Sequence, residues 1–131
     1  MLPEYIAYLF NSKFVVLFAE STDILRHIVH YSLHLFAPGL IAWFFFRPVW
    51  KKAWLIMLAT MLVDLDHFLA DQIFVSGRCS IGFHPLHSWY AVTGYAGIMV
   101  FSRLRIIGAG LLLHMFTDFI DCLWMGNVPF L

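Results

Sequence analysis

Charge is scarce in this sequence. Eight basic and eight acidic residues make up 12% of 131 positions, against 62% hydrophobic, and the mean hydropathy is +0.82. Soluble domains are nearer a quarter charged and half apolar, so the composition excludes an ordinary soluble domain and points to a polytopic membrane protein. No basic stretch is present and the net charge is zero, which excludes a nucleic-acid partner. No basic n-region or small-residue cleavage site opens the chain, so the first internal span is expected to direct insertion. Repeats and low-complexity segments are lacking, and the length suits one domain.

What is present is a set of apolar runs. A bilayer core about 30 Å thick takes roughly 20 helical residues to cross. Four spans are predicted, at 24–46, 53–71, 86–102 and 106–125. Pro38-Gly39 predicts a kink in the first, and Arg47-Pro48 its end, because proline disfavours helix in the residue before it. Short links predict an up-down bundle. Residues 1–22 carry Asn11, Ser12 and Lys13 between apolar stretches, so they are read as an interfacial helix, with a fifth span as the alternative. The fold class is therefore all-α: a polytopic membrane four-helix bundle over 23–131 with an N-terminal interfacial helix over 1–22. Arg47, Lys51 and Lys52 follow the first span, and Arg103 and Arg105 follow the third. The positive-inside rule puts both links in the cytoplasm, with the termini and the 72–85 loop facing the periplasm or exterior.

The spans contain side chains that hydrocarbon does not tolerate without partners. His27, His30 and His34 are spaced i, i+3, i+7, as are Asp64, His67 and Asp71; His84 and His87 are three apart; His114, Asp118 and Asp121 are spaced i, i+4, i+7. On the topology set by Lys and Arg alone, all four groups fall in the outer half of the bundle. Any one pair by itself reads as a hydrogen-bonded or interfacial pair. Together they call for a different account: Asp64, Asp66 and Asp118 would be buried carboxylates, and the few basic residues nearby are too peripheral to neutralise them. Divalent cations would do so, with neutral imidazoles completing the coordination. The ligands expected are His30, His34, Asp64, His67, His84, His87, His114 and Asp118. They exceed the four that one tetrahedral zinc takes, so two ions, zinc in preference, are expected. Asp66 lies two residues from Asp64, off its face in a regular helix, and is the expected general base. His27, Asp71 and Asp121 are expected to orient ligands, and Arg26 or Arg78 to receive a phosphate headgroup.

The runs HYSLHLFAPGLIAWFFFR (30–47), LATMLVDLDHFLA (58–70), RCSIGFHPLHS (78–88) and LLLHMFTDFIDC (111–122) resemble a family of small bacterial integral membrane proteins of unknown function. More distantly, DxDH, the paired-histidine segment and HxxxD resemble the LexA-regulated inner-membrane metal-dependent hydrolases, relatives of zinc-dependent phospholipase C and P1 nuclease. That resemblance implies a helical scaffold holding several zinc ions through His and Asp, in the bacterial inner membrane. It leaves out residues 1–23, and the chain is much shorter than the soluble phospholipases.

Cys79 and Cys122 fall on the outer side, where a disulfide can persist; the alternative is two separate thiols. The function expected is a membrane-embedded metal hydrolase acting on a lipid-linked ester or phosphoester at the outer leaflet. Transport or sensing of a metal ion or proton, a structural metal, and a bis-histidine haem bundle are the alternatives. Transport would need polar groups continuing inward, which Ile41–Phe46 and Leu55–Leu58 do not offer, and haem has little use for so many carboxylates.

Overall fold

A computed structural model describes residues 2–69 and 78–126, with side-chain surroundings defined for 21–69 and 78–126. The described residues are helical with no strand. Helix α1 runs Leu2–Phe45, α2 Trp50–Ala59, α3 Trp89–Ile98 and α4 Arg105–Trp124. Two helical stretches, Ser21–Phe45 and Arg105–Trp124, are long and apolar enough to cross a membrane.

Helix α1 is continuous from Leu2, so no break separates residues 2–22 from the span that follows. Buried Pro38 lies within it. Proline supplies no N–H and crowds the preceding turn, and the neighbouring helix answers there: the Trp54 indole donates to the Leu35 carbonyl at 3.2 Å. Gly39 lets that indole approach, since a Cβ at 39 would lie 3.4 Å from Trp54 Nε1. The helix stops where Arg47-Pro48 predicts, and a short 3-10 turn over Arg47–Val49 leads into α2.

The second apolar run changes winding midway. It is α-helical to Ala59 and 3-10 from Thr60 to Leu69. Runs of 3-10 helix beyond three or four residues are uncommon. Here the change falls where α4 comes closest: a Cβ at Gly110 would sit 2.7 Å from Thr60 Oγ1 and 3.0 Å from the Met57 backbone.

The expected third span, 86–102, is a correction. Its α-helix has ten residues, about 15 Å at 1.5 Å per residue, half a bilayer core. Pro85 opens a separate 3-10 turn, Pro85–His87, and Ser88 caps α3 by accepting from Ala91 N. At the far end Met99 and Val100 donate to carbonyls three residues back, closing the helix just after Gly97.

Helix α4 packs against α1, α2 and α3. One buried apolar cluster, Ala42, Ala53 and Met57, lies toward the Arg47 end; the other, Val63, Ile81, Met115 and Cys122, lies toward the opposite end. Cys79 and Cys122 are joined in a disulfide with Cα atoms 5.1 Å apart, stapling the start of the 78–88 segment to the end of α4.

Candidate metal centre

Three elements deliver His and Asp to one place. Helix α4 supplies His114 and Asp118 one turn apart, the 3-10 stretch supplies Asp64 and Asp66, and the Pro85–His87 turn supplies His87. Asp64 Oδ1 lies 3.0 Å from His114 Nε2 and 3.2 Å from His87 Nε2; Asp118 Oδ2 lies 3.2 Å from His87 Nε2 and 3.4 Å from His114 Nε2; the two Nε2 atoms are 3.3 Å apart. A tetrahedron with bonds of about 2.0–2.1 Å, the zinc–nitrogen length, has edges of about 3.3–3.4 Å. These five separations are roughly of that size, and the two carboxylates bring ligand oxygens within 4.8 Å of each other.

Asp66 fixes which His87 atom faces the centre. Its side chain is 1% exposed. Asp66 Oδ2 accepts from Leu86 N at 2.8 Å and from His87 Nδ1 at 3.1 Å, while Oδ1 accepts from His67 Nδ1 at 3.0 Å. A carboxylate only accepts, so both rings carry their proton at Nδ1. In neutral His87 the Nε2 lone pair then faces His114, Asp64 and Asp118. This carboxylate–histidine arrangement is the usual support for a metal-bound imidazole. Asp66, the expected general base, is buried, accepts on both oxygens and does not line the cavity described below.

Buried Asp118 and half-buried Asp64 beside two buried imidazoles are balanced by two imidazolium protons or by one divalent ion. Imidazoliums at His87 and His114 would aim two N–H groups at each other across 3.3 Å. A single ion between the four atoms carries no such repulsion.

Asp118 reaches a second group through its other oxygen. Oδ1 is 3.3 Å from His34 Nε2 and 4.0 Å from His30 Nε2. The His30 distance is too long for a hydrogen bond, and His30 Nδ1 is buried with no hydrogen-bond partner. His30, His34 and Asp118 are close enough to share an ion, as are Asp64, His87, His114 and Asp118. The third such group, Asp66, His67 and His87, is accounted for by the hydrogen bonds to Asp66.

The remaining expected residues divide. Both His67 nitrogens are engaged, Nδ1 with Asp66 and Nε2 with Ser80 Oγ at 3.2 Å. His84, an expected ligand, stacks on His67 with centroids 3.9 Å apart and lies outside the three groups close enough to share an ion. Burial and the neighbouring His67 push the His84 imidazole below its usual pKa. Exposed His27 places Nδ1 2.7 Å from the Asp23 carbonyl, away from the cluster. Arg26 forks onto Asp121 at 2.9 and 3.2 Å, and the Arg78 guanidinium lies over the Phe83 ring at 4.1 Å. Asp71 lies outside the described residues. A cavity of ≈ 1240 Å³ opens over the cluster, lined among others by Arg26, His30, Asp64, Arg78, Ser80 and Asp118.

Sequence reasoning missed Ser80, which bonds His67, and Tyr95, whose hydroxyl donates to the Leu86 carbonyl at 2.9 Å and braces the turn carrying His87. Ser80 sits in a loop, where no periodicity marks it; its one signal was its place beside Cys79, ahead of two histidines.

The chain belongs to a family of unknown function, DUF6122, which matches residues 24–125. Comparison with curated proteins and with solved structures returns no match.

Proposed function

We propose that this protein is a membrane-embedded, metal-dependent hydrolase that acts on a lipid-linked ester or phosphoester. The observation that carries the reading is the convergence of Asp64 Oδ1, His87 Nε2, His114 Nε2 and Asp118 Oδ2 at 3.0–3.4 Å, with His87 held by Asp66 from behind. Zinc suits this donor set of imidazoles and carboxylates. His30, His34 and the second oxygen of Asp118 would hold a second ion. When bound, such an ion lowers the pKa of a coordinated water toward neutrality and supplies hydroxide.

A catalytic metal is favoured over a structural one because structural sites take all four ligands from the protein. The group of His30, His34 and Asp118 supplies only three, and His30 and Asp118 line the cavity, so water or substrate could take the fourth position there. Transport is disfavoured by the apolar end of the bundle, where Ala42, Ala53 and Met57 are packed to 0–1% exposure and offer an ion no ligand. We place the protein in a bacterial inner membrane as a multi-pass protein with its site on the periplasmic side. The basic residues at the opposite end and the Cys79–Cys122 disulfide support that orientation. Arg26 and Arg78 at the cavity suit an anionic headgroup.

Elemental analysis of detergent-purified protein, run beside hydrolysis of lipid esters and phosphoesters, tests the reading. Wild type should carry bound divalent metal, and Asp64→Ala and His114→Ala should lose both metal and turnover. Full metal stoichiometry in both variants would overturn the assignment.

A further inference from the structure

The hydrogen bonds around His67 form a separate device. Asp66 Oδ1, with its side chain 1% exposed, accepts from His67 Nδ1 at 3.0 Å. That fixes the imidazole proton at Nδ1 and leaves Nε2 as the acceptor. Nε2 lies 3.2 Å from Ser80 Oγ, so the serine hydroxyl donates to it. Carboxylate, imidazole and hydroxyl thus stand in the order and at the spacing that activate a serine nucleophile, a constellation recognised by geometry and not by chain order. His67 and Ser80 line the cavity, whereas Asp66 does not.

A serine that merely satisfied a histidine would need no fixed backbone. Ser80 has one. The residue before it is tied to α4 through the Cys79–Cys122 disulfide. Its own carbonyl accepts from Phe83 N at 3.2 Å and His84 N at 3.4 Å. Gly82 then takes φ +82°, open to glycine and costly for other residues, and its N–H donates to the His87 carbonyl at 3.0 Å. The turn bearing Ser80 is therefore closed on both sides.

We propose that Ser80, His67 and Asp66 form a nucleophilic triad on the cavity wall and that Ser80 takes the acyl group of a carboxylic ester. It rests on the functional reading above for the ester substrate and uses the cavity wall, not the metal. Ser80 Oγ attacks the ester carbonyl carbon as its proton passes to His67 Nε2. The carbon–oxygen bond to the alcohol breaks, and His67 returns the proton to the departing alcohol oxygen. Water then attacks the acyl-serine, giving one proton to His67; the acid leaves and Ser80 recovers its hydrogen. Asp66 stays ionised throughout, keeping the imidazole oriented. The same carboxylate holds His87 through Oδ2, so one buried group orients both the triad and the metal-facing imidazole.

A fluorophosphonate tests this on the full-length, detergent-purified protein, because an activated serine displaces its fluoride to form a stable phosphoryl–oxygen bond. Peptide mass mapping should place one adduct on Ser80. Ser80→Ala should take none, and His67→Gln should label at least about a hundredfold more slowly, the low end of what a general base contributes. A monodisperse gel-filtration peak and a thermal transition matching wild type show that the variants are folded. No adduct on Ser80 in folded wild type, or equal labelling rates for wild type and folded His67→Gln, overturns the triad. Elemental analysis of the same samples separates the two readings. Labelled Ser80 in metal-free protein upholds the triad and counts against the metal hydrolase. Metal-loaded protein with an unlabelled Ser80 does the reverse.

Discussion

The two ends of this bundle are built by the same helices to opposite rules. At the Arg47 end the buried residues are Ala42, Ala53 and Met57, α2 is regularly α-helical, and the cations Arg47 and Lys51 rest over Trp43 and Trp50. At the other end the buried residues include His34, Asp66, His87, His114 and Asp118, and the second run winds as a 3-10 helix. One end gains its order from close packing, which is non-directional and tolerant. The other gains it from directional bonds among groups that would be very costly if left unpaired. The buried ligand-type groups are confined to one end, where Val63, Ile81, Met115 and Cys122 pack beside them, with Gly110 against Thr60 at the boundary.

Substitutions at either end test this division. Asp118→Ala should have the largest effect, since its two oxygens serve two groups of histidines. Elemental analysis should find bound metal lost altogether, and retention of one full equivalent would break the division. Asp66→Asn keeps the shape but replaces a carboxylate with an amide beside three donors. Metal affinity should fall about 10- to 100-fold, the range for an outer support of a ligand histidine, as read by competition with a chelator. Gly110→Ala forces a methyl against Thr60 and the Met57 backbone. It should cost about 1–2 kcal/mol of stability by denaturation in detergent while leaving metal stoichiometry intact. Lys52→Gln, exposed at the packed end, should stay within about 0.5 kcal/mol. A change in metal content there would mean the ends are not independent.

Much of this was legible in the sequence. Arg47-Pro48 marked the end of α1, and i, i+3 and i+4 spacings gathered His30, His34, Asp64, His114 and Asp118. The winding of 60–69 was not legible. TMLVDLDHFL contains no residue that rules out an α-helix, and the tight turn appears only where α4 crowds Thr60. The contacts of Asp66 were hidden for that reason. In a regular helix it points away from Asp64; here the two carboxylates flank one imidazole, Asp64 at His87 Nε2 and Asp66 at His87 Nδ1. The short α3 was masked by its hydropathy, because apolar composition says nothing about where Pro85 and Gly97 interrupt a helix. Ser80 was invisible because a loop contact depends on the path of the chain and not on any period.

Asp118 offers one oxygen to His87 and His114 and the other to His34, with His30 beside it. A shared anion makes two occupancies a single thermodynamic system. Were the two proposed ions bound, each would withdraw electron density from the oxygen facing the other, while ordering the carboxylate for its neighbour. Whatever the balance of those terms, linkage requires that the first ion change the affinity for the second by the same factor as the second changes it for the first. Metal titration of this protein should then read as one coupled isotherm and not as two independent ones.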